Sequence, residues 1–277
     1  MDKDEESRLP REDDAQVTAY TDPGAGRHSA SIQELRDWAR VWDTYNPEVH
    51  GSQDMPGFYA QPLRHENWWG STVSLEQLLD LAQVHGIPVA WVPDRDVLRK
   101  LAAAGPTHDE KLAVLVAAEE EIRSLCHARL DECLDEWLTA EIKAGHKALA
   151  AWDDGHREAA ATLAIAALEQ ILYTLTETEK RTHVALGRIG RQKPNDYLPA
   201  RQYVFAPLAT LFARYYPESN DPLPENLSRH AVLHHLPLDH LSRGHCTIAI
   251  MLLVSVLRQS QERAQGIRDD LMMAAAD

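Results

Sequence analysis

The sequence is poor in cysteine, in basic side chains and in long apolar runs, and each shortage excludes a class of protein. Its three cysteines form no CxxC pair, which argues against a disulfide scaffold. Lys and Arg number 28 against 43 Asp and Glu, so the net charge is −15. A charge of this sign disfavours bulk electrostatic binding to nucleic acid or to anionic membranes. The longest apolar run, residues 247–257, is too short to span a bilayer core of about 30 Å.

The cysteines and the N-terminus both favour a cytoplasmic location. The cysteines are dispersed and flanked by apolar residues, which is typical of reduced thiols in the cytosol. The first residues, MDKDEESRLPREDD, are polar and acidic and do not read as a secretory signal. We therefore expect a cytoplasmic protein that makes no membrane contact. The three cysteines are Cys126, Cys133 and Cys246.

Apolar residues recur at helical spacing along most of the chain, and no useful stretch alternates with the period of a β-strand. The sequence therefore predicts an all-α protein. The first segment carries charge, Gly and Ser without apolar periodicity, so it is expected to be disordered. The predicted organisation is a disordered tail at 1–30, a helical N-terminal module at 31–105, a helical bundle at 106–266 and a C-terminal tail at 267–277.

Several helix boundaries can be predicted from local signals. Helices are expected to begin at Ser74 and near Asp94, and the segment THDE forms a capping box that starts another at Thr107. The pattern that follows Thr107 stays helical for so long that we expect a break near Gly145. Further helices are predicted over residues 153–177, over residues 200–216 with a start or kink at Pro207, and from about Arg243 to Gly266.

One stretch concentrates the polar chemistry: NLSRHAVLHHLPLDHLSRGHC, residues 226–246, holds five of the fourteen histidines. It could form a metal site, a general acid–base pair or a solvated loop. His230 and His234 are four apart, as in zincins, but Ala231 stands where a zincin has glutamate, and the remaining spacings fit no usual zinc finger. The chain also lacks G-x-S-x-G, a P-loop and a dinucleotide fingerprint. We expect no metal and no cofactor.

An arginine and a histidine in this stretch suit acid–base chemistry on phosphate. Arg229 and His234 lie near one another if a helical turn begins at Ser228, with Asn226 or Ser228 as its cap. An imidazole can take or give a proton near neutral pH, and a guanidinium can hold a phosphoryl group and stabilise its charge. The pair suffices for metal-free RNA cleavage, in which the 2′-hydroxyl is the nucleophile.

These residues resemble a known family. RHAVLH is similar to the R-x4-6-H motif of the HEPN superfamily, four-helix domains of prokaryotic toxin–antitoxin and phage-defence systems. In its ribonuclease members a polar residue follows the arginine, and His230 takes that place. GHREAAATLAIAALEQIL resembles an earlier core helix of the family, and NLSRHAVLH resembles segments of uncharacterised actinobacterial proteins. The resemblance covers about residues 107–265.

The resemblance implies a metal-independent ribonuclease with a HEPN-like C-terminal bundle. Arg229 would contact the scissile phosphate, His234 would be the general base or acid, and His230 would support them. The family usually shares the site across a homodimer, and an antitoxin or regulatory protein is an implied partner. Because some HEPN-like domains are non-catalytic, the alternative is an interaction module in which the motif only anchors the bundle.

Residues 180–201 form a basic segment within this acidic chain. The segment is either a solvated loop, a docking surface for an acidic protein, or a strip that contacts RNA phosphates beside the site. The third interpretation fits a ribonuclease. The candidate RNA-binding residues are Arg181, Arg188, Arg191, Lys193 and Arg201.

Overall fold

The computed structural model describes residues 65–68, 71–176, 203–235 and 237–274. These residues form helices, turns and connections without any β-strand, so the all-α prediction is confirmed. The predicted tail at 1–30 and the basic segment at 180–201 lie outside the described residues. No helix in the described part of the chain is long and apolar enough to cross a membrane.

Two capped helices form the described part of the predicted N-terminal module. Helix α1, Leu75–Gln83, begins at Ser74, whose side chain accepts from the Gln77 amide in a reciprocal capping box. Helix α2, Arg95–Ala103, begins at Asp94, whose carboxylate accepts from the Val97 amide at 2.8 Å. Both predicted starts are confirmed. The caps satisfy backbone donors that have no partner within the helix.

The predicted long helix after Thr107 is interrupted. It consists of α3 (His108–Ala117), α4 (Glu119–Asp131), a 3-10 turn (Glu136–Leu138) and α5 (Thr139–Asp153). The capping box between Thr107 and Glu110 is present. The apolar residues keep their helical spacing through Leu134, so the sequence indicates one continuous helix here. Leu134 is nevertheless 80% exposed, in the connection between α4 and α5.

The break expected near Gly145 is wrong, because Gly145 lies inside α5. Instead, the absence of a side chain at Gly145 permits close packing against Leu130 and Leu257. A methyl group at this position would lie 3.1 Å from Leu130 Cδ2 and 3.4 Å from Leu257 Cδ1. Such contacts are tighter than ordinary van der Waals packing, so a side chain here would displace its neighbours.

Helix α6, Arg157–Thr176, packs against α5 and against the last helix. The predicted helix over 200–216 is broken: residues 203–205 form one turn, and Pro207 precedes the four-residue α7, Leu208–Leu211. Helix α8, Arg243–Ala274, continues past the expected end at Gly266 into the predicted C-terminal tail. The alanines of α6 let neighbouring helices approach closely. Among the apolar residues whose helical spacing predicts a buried stripe, Leu163 is only partly buried, and the buried ones are Ala160, Ala164, Ala167, Leu168 and Ile171.

The start of α8 is tied to the bundle by one buried carboxylate. Glu119 Oε2 accepts from Arg243 Nε at 2.9 Å, and its Oε1 accepts from Arg157 Nε at 3.1 Å. Trp152 Nε1 also donates to Oε1, at 3.1 Å. Two cations and an indole donor satisfy this charge, as a buried carboxylate requires.

The described part of the N-terminal module packs directly on the bundle. Ser255 Oγ donates to the Ala90 carbonyl at 2.8 Å, and the Arg258 guanidinium lies 4.6 Å from the centre of the Trp91 ring. Lys111 Nζ donates to the carbonyl of Leu101 at 3.2 Å. One hydrophobic core therefore crosses the predicted boundary at residue 105. That continuity places the end of α1 beside the histidine-rich stretch.

Candidate functional site

A short helical turn brings the two motif residues together. Residues 229–235 are helical, and Ala231–His235 has π-type hydrogen bonding. Because π-type bonding links residues five positions apart, it favours alignment of Arg229 with His234. Arg229 Nη1 lies 2.9 Å from His234 Nε2. The proximity expected from the R-x4-H spacing is present.

The geometry of this contact determines the state of the histidine. A guanidinium carries only donors, so His234 Nε2 must be the acceptor. In this arrangement the imidazole is therefore neutral, with its proton on Nδ1. His234 is exposed to solvent. A neutral, accessible imidazole is the form that a general base requires.

The arginine is held by a residue that the sequence did not single out. Glu169 of α6 accepts from Arg229 Nη2 at 2.6 Å and from Arg229 Nε at 3.0 Å. The side chains of the two residues are only 12% and 9% exposed. This two-point ion pair fixes the plane of the guanidinium and leaves Nη1 directed to His234. The sequence carries one signal for the role of Glu169: it is a carboxylate next to Leu168, which belongs to the apolar face of α6.

Aromatic rings surround the motif and define what we call the surface cluster: Tyr215, Tyr216, His230, His234 and His235. The His230 ring centroid lies 4.9 Å from that of His234 and 5.6 Å from that of His235, with the second pair stacked. Tyr216 contacts His230 edge-on at 5.5 Å. Burial, and then the neighbouring rings of His234 and His235 and the Arg229 charge, lower the pKa of His230.

The two predicted caps have different roles. Ser228 caps the turn: its Oγ accepts from the Ala231 amide at 3.3 Å, and its carbonyl accepts from the Val232 amide at 3.1 Å. Asn226 does not cap this turn. Its Nδ2 donates instead to the Val84 carbonyl at 2.9 Å, at the end of α1. The segment before the motif is thus attached to the N-terminal module.

The other two histidines of the stretch belong to a different group, the buried histidine chain: His85, His108, His240 and His245. All four are largely shielded from solvent. His108 Nε2 lies 3.1 Å from His245 Nε2, and the His85 ring stacks on His108 at 5.9 Å. Burial is the main cause that lowers the pKa of each, to about 4 for His108 and for His240.

The remaining candidates do not add to this site. The thiols are free and buried, and burial raises the pKa of Cys133 and of Cys246 to about 12, which argues against a nucleophilic cysteine. Among the described residues no group of three or more His, Cys, Asp or Glu side chains could hold a metal ion. The five predicted RNA-binding residues lie outside the described part of the chain.

No protein-family model, curated protein or solved structure matches this chain. Support for a function therefore comes from the geometry of the described residues and from the motif itself.

Proposed function

We propose that the chain is a metal-independent endoribonuclease of HEPN type, with Arg229 and His234 as its catalytic residues. The observation that carries this proposal is the 2.9 Å contact between Arg229 Nη1 and His234 Nε2. It joins a phosphate-binding cation to a neutral imidazole at the protein surface. These are the two groups that cleavage through the 2′-hydroxyl of RNA needs.

Binding of an RNA phosphate would rearrange this contact. The guanidinium, kept in place by Glu169, would donate from Nη1 to a phosphate oxygen and release the lone pair of His234 Nε2. His234 would then remove the proton of the 2′-hydroxyl. The 2′-oxygen attacks phosphorus and the bond to the 5′-oxygen breaks, so the products are a 2′,3′-cyclic phosphate and a 5′-hydroxyl.

The leaving 5′-oxygen must receive a proton. A homodimer with facing motifs, as the resemblance implies, would supply a second His234, which must carry a proton on Nε2 to give it to the 5′-oxygen. His230, whose ring centroid lies 4.9 Å from that of His234, is an imidazole of the same protomer and would support either histidine. Light scattering at micromolar protein tests the dimer. If the protein is a monomer, the general acid that protonates the 5′-oxygen must come from the same chain.

Access to RNA would depend on local charge, because the net charge of −15 repels it overall. The basic segment at 180–201 is the candidate strip for phosphate contacts. The motif's resemblance also favours a role in stress response or phage defence, with an antitoxin or regulatory protein as partner. These parts of the proposal depend on the sequence alone.

The decisive experiment is cleavage of mixed RNA by purified protein in EDTA, with detection of 2′,3′-cyclic phosphate ends. His234→Ala is expected to lower the rate by about a hundredfold or more, because a general base contributes that much. Arg229→Lys keeps the charge but loses the two-point geometry, and we expect a loss of similar order.

The matched control is His146→Ala on α5, an exposed histidine away from the motif, which should cleave like the wild type. Equal cleavage by His234→Ala and the wild type would contradict the proposal. So would an absence of cyclic phosphate ends from the wild type.

A second candidate function is a non-catalytic interaction module. The observation that favours it is the largely buried Arg229–Glu169 pair, which can serve purely to anchor the turn to α6. In that case Arg229→Lys would lower stability while no preparation cleaves RNA. Cleavage by the wild type separates the two functions, and thermal unfolding of the same samples shows whether a variant that has lost cleavage has also lost its fold.

A further inference from the structure

The buried histidine chain has one consistent set of proton positions when its rings are neutral. His245 Nδ1 lies 2.6 Å from the His240 carbonyl, and a carbonyl only accepts, so the proton of His245 is on Nδ1. Its Nε2 must then accept from His108 Nε2, at 3.1 Å. This leaves His108 Nδ1 as a buried acceptor with no partner among the described residues. An extra proton on His245 Nε2 would break its bond to His108, whereas His108 Nδ1 could take a proton without breaking either bond.

The chain ends on the backbone of the motif. The Ser228 amide donates to His240 Nε2 at 3.0 Å, so His240 accepts and its proton is also on Nδ1. Ser228 is the residue that caps the motif turn through its side chain and its carbonyl. Protonating His240 Nε2 would place two donors against each other at this point. The motif turn is therefore attached to the core through a bond that exists only while His240 is neutral.

Few charges face the chain, and burial of the rings outweighs the carboxylate of Asp109, which favours a proton on His108 and on His245. Asp80 of α1 lies 3.8 Å from His85 Nε2, and Lys111 of α3 acts on the same ring with the opposite effect. Asp109 of α3 acts on His108 and His245. The backbone of Glu225 also contacts His245. For His240 the titratable neighbour is His245, whose charged form would lower the pKa of His240.

We propose that the buried histidine chain is a pH-sensitive latch: neutral His240 holds the turn at residues 228–235 against the core, and protonation of His240 releases it. Release would separate Ser228 from the 3-10 turn Leu238–His240 and loosen the placement of Arg229 and His234. The latch does not depend on the proposed ribonuclease activity, because it is a property of the turn itself.

The direction of the pH dependence follows from the bond. His240 has a pKa of about 4 in the closed state and an ordinary value of 6.5 once exposed. Between these values only the open state binds the proton, so acidification favours opening. Above about pH 6.5 the latch is closed, and the opening equilibrium should rise by roughly tenfold per pH unit below it for one proton.

Amide hydrogen exchange over residues 228–235 tests the latch in the intact protein. After correction for the intrinsic rate, protection of this segment in the wild type should fall by about tenfold per unit from about pH 6.5 downward, while α6 keeps its protection. His240→Gln keeps an acceptor for the Ser228 amide without titrating, so its protection should change little with pH. His240→Leu removes the acceptor, so in this variant the amides of residues 228–235 should already exchange fast at neutral pH.

The comparison with His240→Gln separates the latch from the nearby histidines of the surface cluster. If the variant keeps the wild-type pH dependence, a histidine other than His240 is responsible and the proposal is overturned. It is equally overturned if protection of 228–235 in the wild type does not depend on pH. His146→Gln on α5 is the matched control and should behave as the wild type. RNA is absent from the assay, so the outcome is independent of the proposed activity.

Discussion

The surface cluster and the buried histidine chain both draw on residues 226–246, yet packing gives their histidines different chemistry. His234 is exposed and accepts from the charged Arg229. His240 is buried and accepts from a backbone amide. A solvent-facing imidazole can exchange protons with a substrate, whereas His240 Nε2 can take a proton only by breaking its bond to the Ser228 amide. Residue type and sequence spacing therefore do not define a histidine's role.

The two groups also differ in what holds them. The ion pair between Arg229 and Glu169 joins the surface cluster to α6. The buried chain depends on packing among α1, α3, the turn at 238–240 and α8. Loss of charge pairing should therefore act directly on the first group, whereas loss of neutrality acts on the second and reaches the first only through the bond from the Ser228 amide to His240. Three stability measurements can sharpen or break this distinction.

The largest effect is expected for Glu169→Ala. It leaves the largely buried Arg229 without this ionic partner, and breaking such a pair costs about 3 kcal/mol in the free energy of unfolding. Urea unfolding at neutral pH measures it. Glu120→Ala is the control, because Glu120 pairs with Arg123 on the surface and is 90% exposed; it should change stability by less than about 1 kcal/mol. Equal losses of unfolding free energy would mean that the ion pair between Arg229 and Glu169 stabilises the fold no more than a surface ion pair.

The second effect concerns pH and His108. Its pKa is about 4 in the fold and 6.5 when exposed, so its contribution to stability is complete above 6.5 and is lost as the pH falls toward 4. His108→Gln removes this titration. We expect the loss of unfolding free energy between about pH 7 and 4.5 to shrink by on the order of 2 kcal/mol relative to the wild type. Urea unfolding at both pH values checks it, and an unchanged loss would refute a neutral buried chain.

The smallest effect is expected for His235→Gln in the surface cluster. His235 is exposed, and its ring contacts are with His230 and Tyr215, so the free energy of unfolding should change by less than about 0.5 kcal/mol. Its pH dependence should match the wild type, in contrast to His108→Gln. A loss above about 1 kcal/mol would show that the two groups are not distinct in their structural roles.

Local signals in the sequence predicted the helix starts well and the helix interruptions poorly. Ser74, Asp94 and Thr107 begin their helices because each cap bonds an amide three residues on. The connection between α4 and α5 was missed because the apolar pattern continues through Leu134, which faces solvent. Gly145 was misread because a glycine that breaks a helix and one that permits close packing look alike in sequence.

The sequence by itself determined the all-α class, the principal caps and the nearness of Arg229 to His234, because each depends on residues a few positions apart. Only the tertiary structure decided that Glu169, sixty residues earlier, orients Arg229, and that His240 and His245 join His85 and His108 in the core. The physical reason is that a side chain's burial and partners are set by which helices pack together, and that packing is a property of the whole chain.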